Sequence, residues 1–304
     1  LMDPALVDRM ELELAGKTDR TFATADALAE RLRAAQPNTV MIPNGANFER
    51  FVQAAQPQPV PEDLRDIPHP IFGFVGALQS CIEYDYLEAA AKARPDWSFV
   101  LIGKEKPGVD LTALHAMPNV HFLGLKPNEQ LPQYLAHFDA CLNLFAKSDL
   151  SKDVSPLKFY EYLATGHPIV STRQPDQILQ YAPLIEIADS QEEFISACEK
   201  SCSDTAPEQI DARIEAGRAC SWDSRVAQMC GILEGHFTGA GDLMKKLLIT
   251  GFDPFGGEPV NPAYEAVRLL PDVVAGIKLC KLEVPTEFVR SGAVLRDALA
   301  AERP

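Results

Sequence analysis

No stretch of this 304-residue chain approaches the ~20 consecutive apolar residues that a membrane-crossing helix needs, which argues against a transmembrane segment. Positive charge is scarce. The 28 basic residues face 43 acidic ones, for a net charge of −15, which argues against nonspecific nucleic-acid binding through the phosphate backbone. The first residues, Leu1-Met2-Asp3-Pro4, lack the basic and apolar regions of a secretory signal. They do not resemble a natural start either, so the chain is expected to begin inside a larger protein, and it stops abruptly at 301–304. Cysteine is present but unorganised: Cys81, Cys141, Cys198, Cys202, Cys220, Cys230 and Cys280 are odd in number and form no CxxC. Cys198 and Cys202 are one helical turn apart, but no histidine lies near them to complete a zinc site. No metal site and no cofactor are expected, and the plain reading is reduced cysteines in a cytoplasmic protein. Trp97 and Trp222, the two tryptophans, are expected in the core.

Charge is unevenly placed. From Met244 onward there are eight basic and eight acidic residues, so the preceding 243 residues carry the whole excess of −15. A break near Met244 follows, and Thr238-Gly239-Ala240-Gly241 just before it reads as a flexible joint. Residues 5–35 read as helix, short strand and helix, and 39–42 as a strand stopped by Pro43-Asn44-Gly45. Residues 53–70 hold Pro57, Pro59, Pro61, Pro68 and Pro70, a density that suits an extended linker. The expected division is therefore 1–52, linker 53–70, a domain over 71–240, and a separate segment over 244–304.

The 71–240 domain has a regular pattern. Short, continuous apolar runs at 71–75, 98–102, 120–123, 140–144, 169–171 and 184–187 alternate with helical segments at 84–93, 129–137 and 157–165. Helices at 191–201 and 207–234 close the domain. Strands without polar alternation, separated by helices, indicate a parallel sheet covered on both faces. The fold class is α/β, Rossmann-like, and ligands in such sheets bind beyond the carboxyl ends of the strands.

The residues richest in chemistry run from Asp153 to Val170. A helix opens there just after a strand, so its free N–H groups and positive dipole end suit a diphosphate. Lys158 in the first turn adds a full positive charge. Glu161, one turn further in, can accept both hydroxyls of a ribose. His167, between Gly166 and Pro168, reads as a turn residue rather than a catalyst.

Asp153 and Glu161 bracket seven residues. This resembles the E-x7-E motif of retaining GT-B glycosyltransferases, with Asp in the first position. The run Pro156-x-Lys158-x-x-Glu161-Tyr162-Leu163-Ala164-x-Gly166-x-Pro168-Ile169-Val170 is similar to a bacterial group that builds surface polysaccharides. Further matches are Ile42-Pro43-Asn44-Gly45, Phe74-Val75-Gly76, Leu101-Ile102-Gly103 and Asn119-Val120-His121-Phe122-Leu123-Gly124. The resemblance covers about residues 20–235 and implies a UDP-, GDP- or dTDP-sugar as substrate. It implies Glu161 on the ribose, Lys158 near the diphosphate and Asp153 facing the sugar, with Gly76, Ser155, Pro156 and Leu157 completing the donor site. No catalytic residue is assigned beyond Asp153 as a candidate sugar contact. Two features depart from the pattern: the loop 76–81 lacks basic residues, and Asp153 is shorter than Glu. The resemblance also implies an acceptor-binding domain, of which residues 1–52 look like the last elements. It implies a glycan or lipid-linked glycan as acceptor, and it adds the inner membrane surface to the cytoplasm as a candidate location.

From Met244 a second α/β pattern begins: a strand at 247–250, a turn at 251–257, a helix at 262–270 capped by Asn261, a strand at 277–284 and a helix at 288–300. Gly251-Phe252-Asp253-Pro254-Phe255-Gly256-Gly257, Asn261-Pro262, Glu265-Ala266-Val267 and the run 281–286 closely resemble the start of pyroglutamyl-peptidase I. The resemblance implies that Phe252, Phe255 and Asn261 help form a pyroglutamate pocket. It also implies that the family's Glu, Cys and His triad falls after the point where this chain stops. Cys280 is followed by no histidine that could activate it. The segment is too short to bury a good core alone, so an incomplete α/β fragment without peptidase activity is expected. The alternatives to a glycosyltransferase donor domain are thus a peptidase fragment, a non-catalytic nucleotide-binding module and an artefactual fusion of two genes.

Overall fold

A computed structural model describes residues 4–148, 154–237, 246–254, 260–274 and 277–302. The chain divides into two compact units, Leu1–Cys220 and Ser221–Pro304.

The first unit is built on a six-stranded, fully parallel sheet of β3 (Ile71–Val75), β4 (Ser98–Ile102), β5 (Val120–Gly124), β6 (Ala140–Asn143), β7 (Ile169–Thr172) and β8 (Glu186–Ala188). The spatial order is β5-β4-β3-β6-β7-β8. This is the doubly wound order 3-2-1-4-5-6, in which the winding reverses between the first and fourth strands, here β3 and β6. The apolar runs form these strands because both faces are covered. Phe72 and Phe74 enter one layer with Leu87, Trp97, Phe99 and Leu101. Ile71 and Val75 enter the other with Val100, Ile102 and Phe159. Each large apolar side chain so buried contributes ~1.5–3 kcal/mol. Gly73 sits inside β3 because an added Cβ would lie 1.9 Å from the Phe138 ring.

The helices of this unit include α4 (Tyr84–Ala93), α7 (Leu157–Thr165), α8 (Gln191–Ser201) and α9 (Pro207–Ala219). Before the sheet come α1 (Pro4–Ala15), β1 (Thr21–Ala23), α2 (Asp26–Arg33), β2 (Thr39–Met41) and α3 (Phe48–Phe51). Strands β1 and β2 pair in parallel as a separate two-stranded sheet. The shorter helices α5 (Thr112–His115) and α6 (Leu131–Leu135) complete the unit.

Three local expectations are corrected. The proline-rich stretch is not an extended linker: it contains two 3-10 turns, Val52–Ala55 and Glu62–Leu64, and Ala54 and Leu64 are buried in the core. The strand expected at 184–187 lies at Glu186–Ala188, because Asp176–Leu184 winds as a 3-10 helix that contains Pro183. The helix expected over 207–234 breaks at Cys220. The Cys220 N–H closes α9 on Ala216 and Gly217, and the Cys220 carbonyl accepts the Ala46 N–H at 2.9 Å, so it is withdrawn from any continuing helix.

The second unit begins with α10 (Trp222–Phe237). A three-stranded sheet follows, in the order β10 (Val273–Val274), β11 (Ile277–Val284), β9 (Lys246–Phe252), with β9 and β11 parallel and β10 antiparallel to β11. Helices α11 (Pro262–Leu269) and α12 (Phe288–Glu302) complete it. Strand β9 runs through Gly251 and Phe252, two residues into the expected turn. Gly251 is there because α11 crosses close by: a Cβ would meet Tyr264 Cα at 2.6 Å. Trp97 is buried as expected, whereas Trp222 is half-buried. Among the described residues no helix is long and apolar enough to cross a membrane.

Candidate functional site

The crevice of a doubly wound sheet opens at the carboxyl ends of the two strands where the winding reverses. Here the ladder between β3 and β6 ends at Gly73–Cys141, so among the described residues the last residues of β3 have no strand partner on that side. The Tyr162 hydroxyl takes that place: it accepts the Val75 N–H at 2.8 Å and donates to the Val75 carbonyl at 3.3 Å. Burial pushes the Tyr162 phenol well above the ordinary tyrosine pKa, so it stays neutral and able to do both. Chain leaving β6 is pinned across the crevice. The Ala146 N–H donates to Cys81 O at 2.8 Å, and the Phe145 N–H donates to Thr172 Oγ1 at 2.9 Å. It then returns through α7, whose first turn therefore lies at the carboxyl edge of the sheet.

Pro156, in extended backbone, is the residue just before α7, where a proline does not interrupt the helix interior. Gly166, at φ 75°, ends it in the left-handed conformation. From Phe159 to Thr165 the helix is buried, and only Leu157 and Lys158 reach the surface. Glu161 is thus a carboxylate that is 4% exposed. A charge in that setting is tolerated when paired, and Lys158 Nζ lies 2.7 Å from Glu161 Oε2. Burial pushes the Glu161 carboxyl above the usual carboxylate range, and Lys158 and Arg50 pull it back only in part. Lys158 also sits 5.8 Å from the centre of the Phe51 ring. The arrangement is a pair of opposite charges at the start of a buried helix, at the positive end of its dipole.

The structure brings Ser155, Pro156, Leu157, Lys158 and Glu161 together at this helix start, and Gly76 follows β3 at the same edge of the sheet. Gly76 N–H donates to Ile102 O at 2.9 Å, and a Cβ there would meet only the Phe74 ring, at 3.1 Å. The tighter approach belongs to Gly103, whose Cβ would stand 1.8 Å from the Gly76 carbonyl oxygen. Asp153 and Phe255 lie outside the described residues. His167 is at the other end of α7, where its N–H donates to Thr165 Oγ1 at 3.1 Å, in keeping with a turn role. In the second unit Phe252 is half exposed, and Asn261 is buried. Asn261 is spent on structure: its Oδ1 accepts the Ala263 N–H and its Nδ2 donates to Asp253 O, both at 3.0 Å. Among the described residues no group of His, Cys, Asp and Glu is placed to hold a metal ion.

Several residues around the site were not anticipated. Tyr162 bonds the Val75 backbone at the end of β3, and Tyr160 and Gln177 are joined by a buried hydrogen bond. Arg213 on α9 is fully buried and holds the other end of α7. It donates to Gly166 O at 2.8 Å and Leu184 O at 3.0 Å and pairs with Asp204. A cation at a helix carboxyl end complements the dipole, but one arginine among many carries no mark of burial in a sequence.

The profile of the family described as glycosyl transferases group 1 matches residues 69–204. Residues 69–204 form a group 1 glycosyltransferase domain. The Bacillus subtilis protein TuaH, named as a glycosyltransferase of teichuronic acid biosynthesis, is 25% identical over 234 residues, covering 74% of this chain and 59% of TuaH. The solved structure of Anabaena HepE in complex with UDP superposes on the glycosyltransferase domain and its surroundings with a TM-score of 0.58. The identity is 17%, covering 77% of this chain and 68% of HepE. At that identity the likeness establishes the fold, which is that of the GT-B glycosyltransferases. The pyroglutamyl peptidase profile matches residues 245–304. The pyrrolidone-carboxylate peptidase of Lactobacillus helveticus is 58% identical over 59 residues, 19% of this chain and 30% of the relative. The chain therefore spans a little over half of TuaH and under a third of that peptidase.

Proposed function

We propose that the first unit binds a nucleotide-diphosphate sugar as the donor for retaining glycosyl transfer in polysaccharide or glycoconjugate synthesis. The observation that carries this reading is the Lys158–Glu161 pair at the start of α7, beside the switch point of the sheet. The diphosphate meets the positive end of α7 and Lys158, and Lys158 then leaves Glu161 to turn toward the ribose hydroxyls. Asp153, at the first position of the motif, faces the sugar. HepE, with the same fold, was solved with UDP bound, which makes UDP the first nucleotide to test. The sugar donor is a substrate, and the reading assigns the chain no cofactor. Closure of an acceptor-binding domain over the donor completes sites of this kind, so transfer depends on that closure whereas donor binding does not.

Calorimetric titration of the 304-residue chain with UDP, GDP and dTDP tests the proposal. Saturable binding of one of them, stronger than that of the matching nucleoside, is expected. No heat of binding from any of the three at millimolar concentration would remove the donor-site reading.

A further inference from the structure

A chain of hydrogen bonds joins the start of α7 to the segment that carries β1 and β2. Asn44 clamps Ser155 twice: its backbone N–H donates to Ser155 Oγ at 2.9 Å, and its Nδ2 donates to the Ser155 carbonyl at 3.0 Å. Ser155 Oγ is 3.4 Å from the Tyr160 hydroxyl. That hydroxyl donates to Gln177 Oε1 at 3.0 Å, and Gln177 Nε2 donates to the Thr24 carbonyl at 2.8 Å. Thr24 directly follows β1 and Asn44 comes three residues after β2, so the chain of bonds starts and ends on the same segment. Tyr160 is 1% exposed and Gln177 is 8% exposed.

Burying these polar groups brings little net stability, because each hydrogen bond only offsets the water it replaces. A phenylalanine at 160 would fill the same volume without needing partners. What the polar chain supplies is direction. Gln177 must present its carbonyl to Tyr160 and its amide to Thr24. Ser155 and Pro156 are the two residues before the first helical turn, so fixing Ser155 fixes where the N–H groups of that turn point.

We propose that Asn44, Tyr160 and Gln177 are positioning residues that hold the start of α7 in register with residues 21–44, so that its N–H groups and Lys158 meet the diphosphate. This rests on the donor-site reading above. A positioning role differs from a merely structural one in what it changes: the diphosphate contact depends on it, whereas the nucleoside contact, through Glu161 one turn deeper, does not.

The test compares Tyr160→Phe, Gln177→Glu and Asn44→Ala with the unaltered chain. Affinity is measured for UDP, or for GDP or dTDP if one of these binds instead, and for the matching nucleoside by NMR titration, with the thermal midpoint recorded for each protein. The variants are expected to weaken the nucleoside diphosphate roughly threefold to tenfold, with nucleoside affinity unchanged. Asn44→Ala keeps the backbone N–H bond to Ser155 and needs no core repacking, so it remains informative if either buried variant fails to fold. Equal loss for nucleoside and diphosphate would overturn the proposal, as would no loss for either. Absence of diphosphate binding by the unaltered chain would instead remove the donor-site reading on which this rests.

Discussion

Glu161 is a carboxylate held away from water by its own helix, and two consequences with opposite pH dependence follow. Burial raises its pKa above the ordinary value, so the folded protein holds this proton more tightly than the unfolded chain does. Its contribution to stability is therefore greatest below the ordinary carboxylate value and is lost as pH rises through the folded value. Ribose binding runs the other way, because the ionised form accepts a hydroxyl on each oxygen in charge-assisted bonds, whereas protonation turns one oxygen into a donor. Nucleotide affinity is expected to fall as pH drops through the raised pKa of Glu161. Glu161→Gln should weaken binding at neutral pH by about tenfold to a hundredfold, the scale of a hydrogen bond to a charged group, and should flatten this pH dependence. Titrations from about pH 5 to about pH 8 check both effects, and a variant that keeps the unaltered affinity and profile would free Glu161 from the ribose. The place of Glu161 near the start of a helix was legible because Lys158 and Glu161 stand in a motif with Gly166 and Pro168. Its burial was not legible, since the sequence does not say that every residue from Phe159 to Thr165 is covered.

Helix α7 is covered because α9 crosses it at very short range. Gly217 makes the crossing possible: a Cβ there would lie 2.5 Å from Ala164 N and 2.6 Å from Ala164 Cα, both backbone atoms that cannot swing aside. Gly217→Ala is expected to cost about 1–3 kcal/mol or more by overpacking. It should also push α7 away and weaken nucleotide binding. Gly231, in α10, lies in open space, with nothing within 4 Å of where an added Cβ would stand, so Gly231→Ala should be neutral or gain up to ~1 kcal/mol from helix propensity. Denaturant melts of the two variants test the contrast, and equal effects would show that the α7–α9 contact does not limit stability. Elements were readable in the sequence where one physical rule dominated. The strands 71–75 and 98–102 were legible because both-face burial demands unbroken apolar runs. Rules in competition were harder to read. Pro57, Pro59 and Pro61 suggested an extended linker, yet Ala54 and Leu64 on either side of them pack into the core. The long helix expected from 207 ends at Cys220 because of a bond to Ala46, a partner 174 positions away that no local pattern displays.

Two unrelated families are matched along one polypeptide, over 69–204 and 245–304, and the two parts are unequally equipped. The glycosyltransferase domain has a six-stranded sheet, both faces covered, with its charged pair at the expected edge. The peptidase-like segment contributes three strands, and Phe252 and Asn261, expected in a pyroglutamate pocket, are respectively half exposed and committed to capping α11. The surroundings of Cys280 disfavour its thiolate. Burial and the neighbouring Glu302 carboxylate, 3.4 Å away, push its thiol up, and a thiol attacks as the thiolate. Activated cysteines require a neighbouring base, and the thiol of Cys280 instead donates to the Glu302 carboxylate. The 304-residue chain is therefore expected to release no product from a fluorogenic pyroglutamyl substrate above the rate of buffer, and Cys280→Ser should leave that background unchanged. Hydrolysis that saturates with substrate and disappears in Cys280→Ser would show that the segment assembles a working site after all; hydrolysis that persists in Cys280→Ser would place the activity elsewhere. Because nucleotide binding is assigned to the first unit alone, Cys280→Ser should bind the nucleotide with unaltered affinity, so the same variant separates the two chemistries in a single preparation.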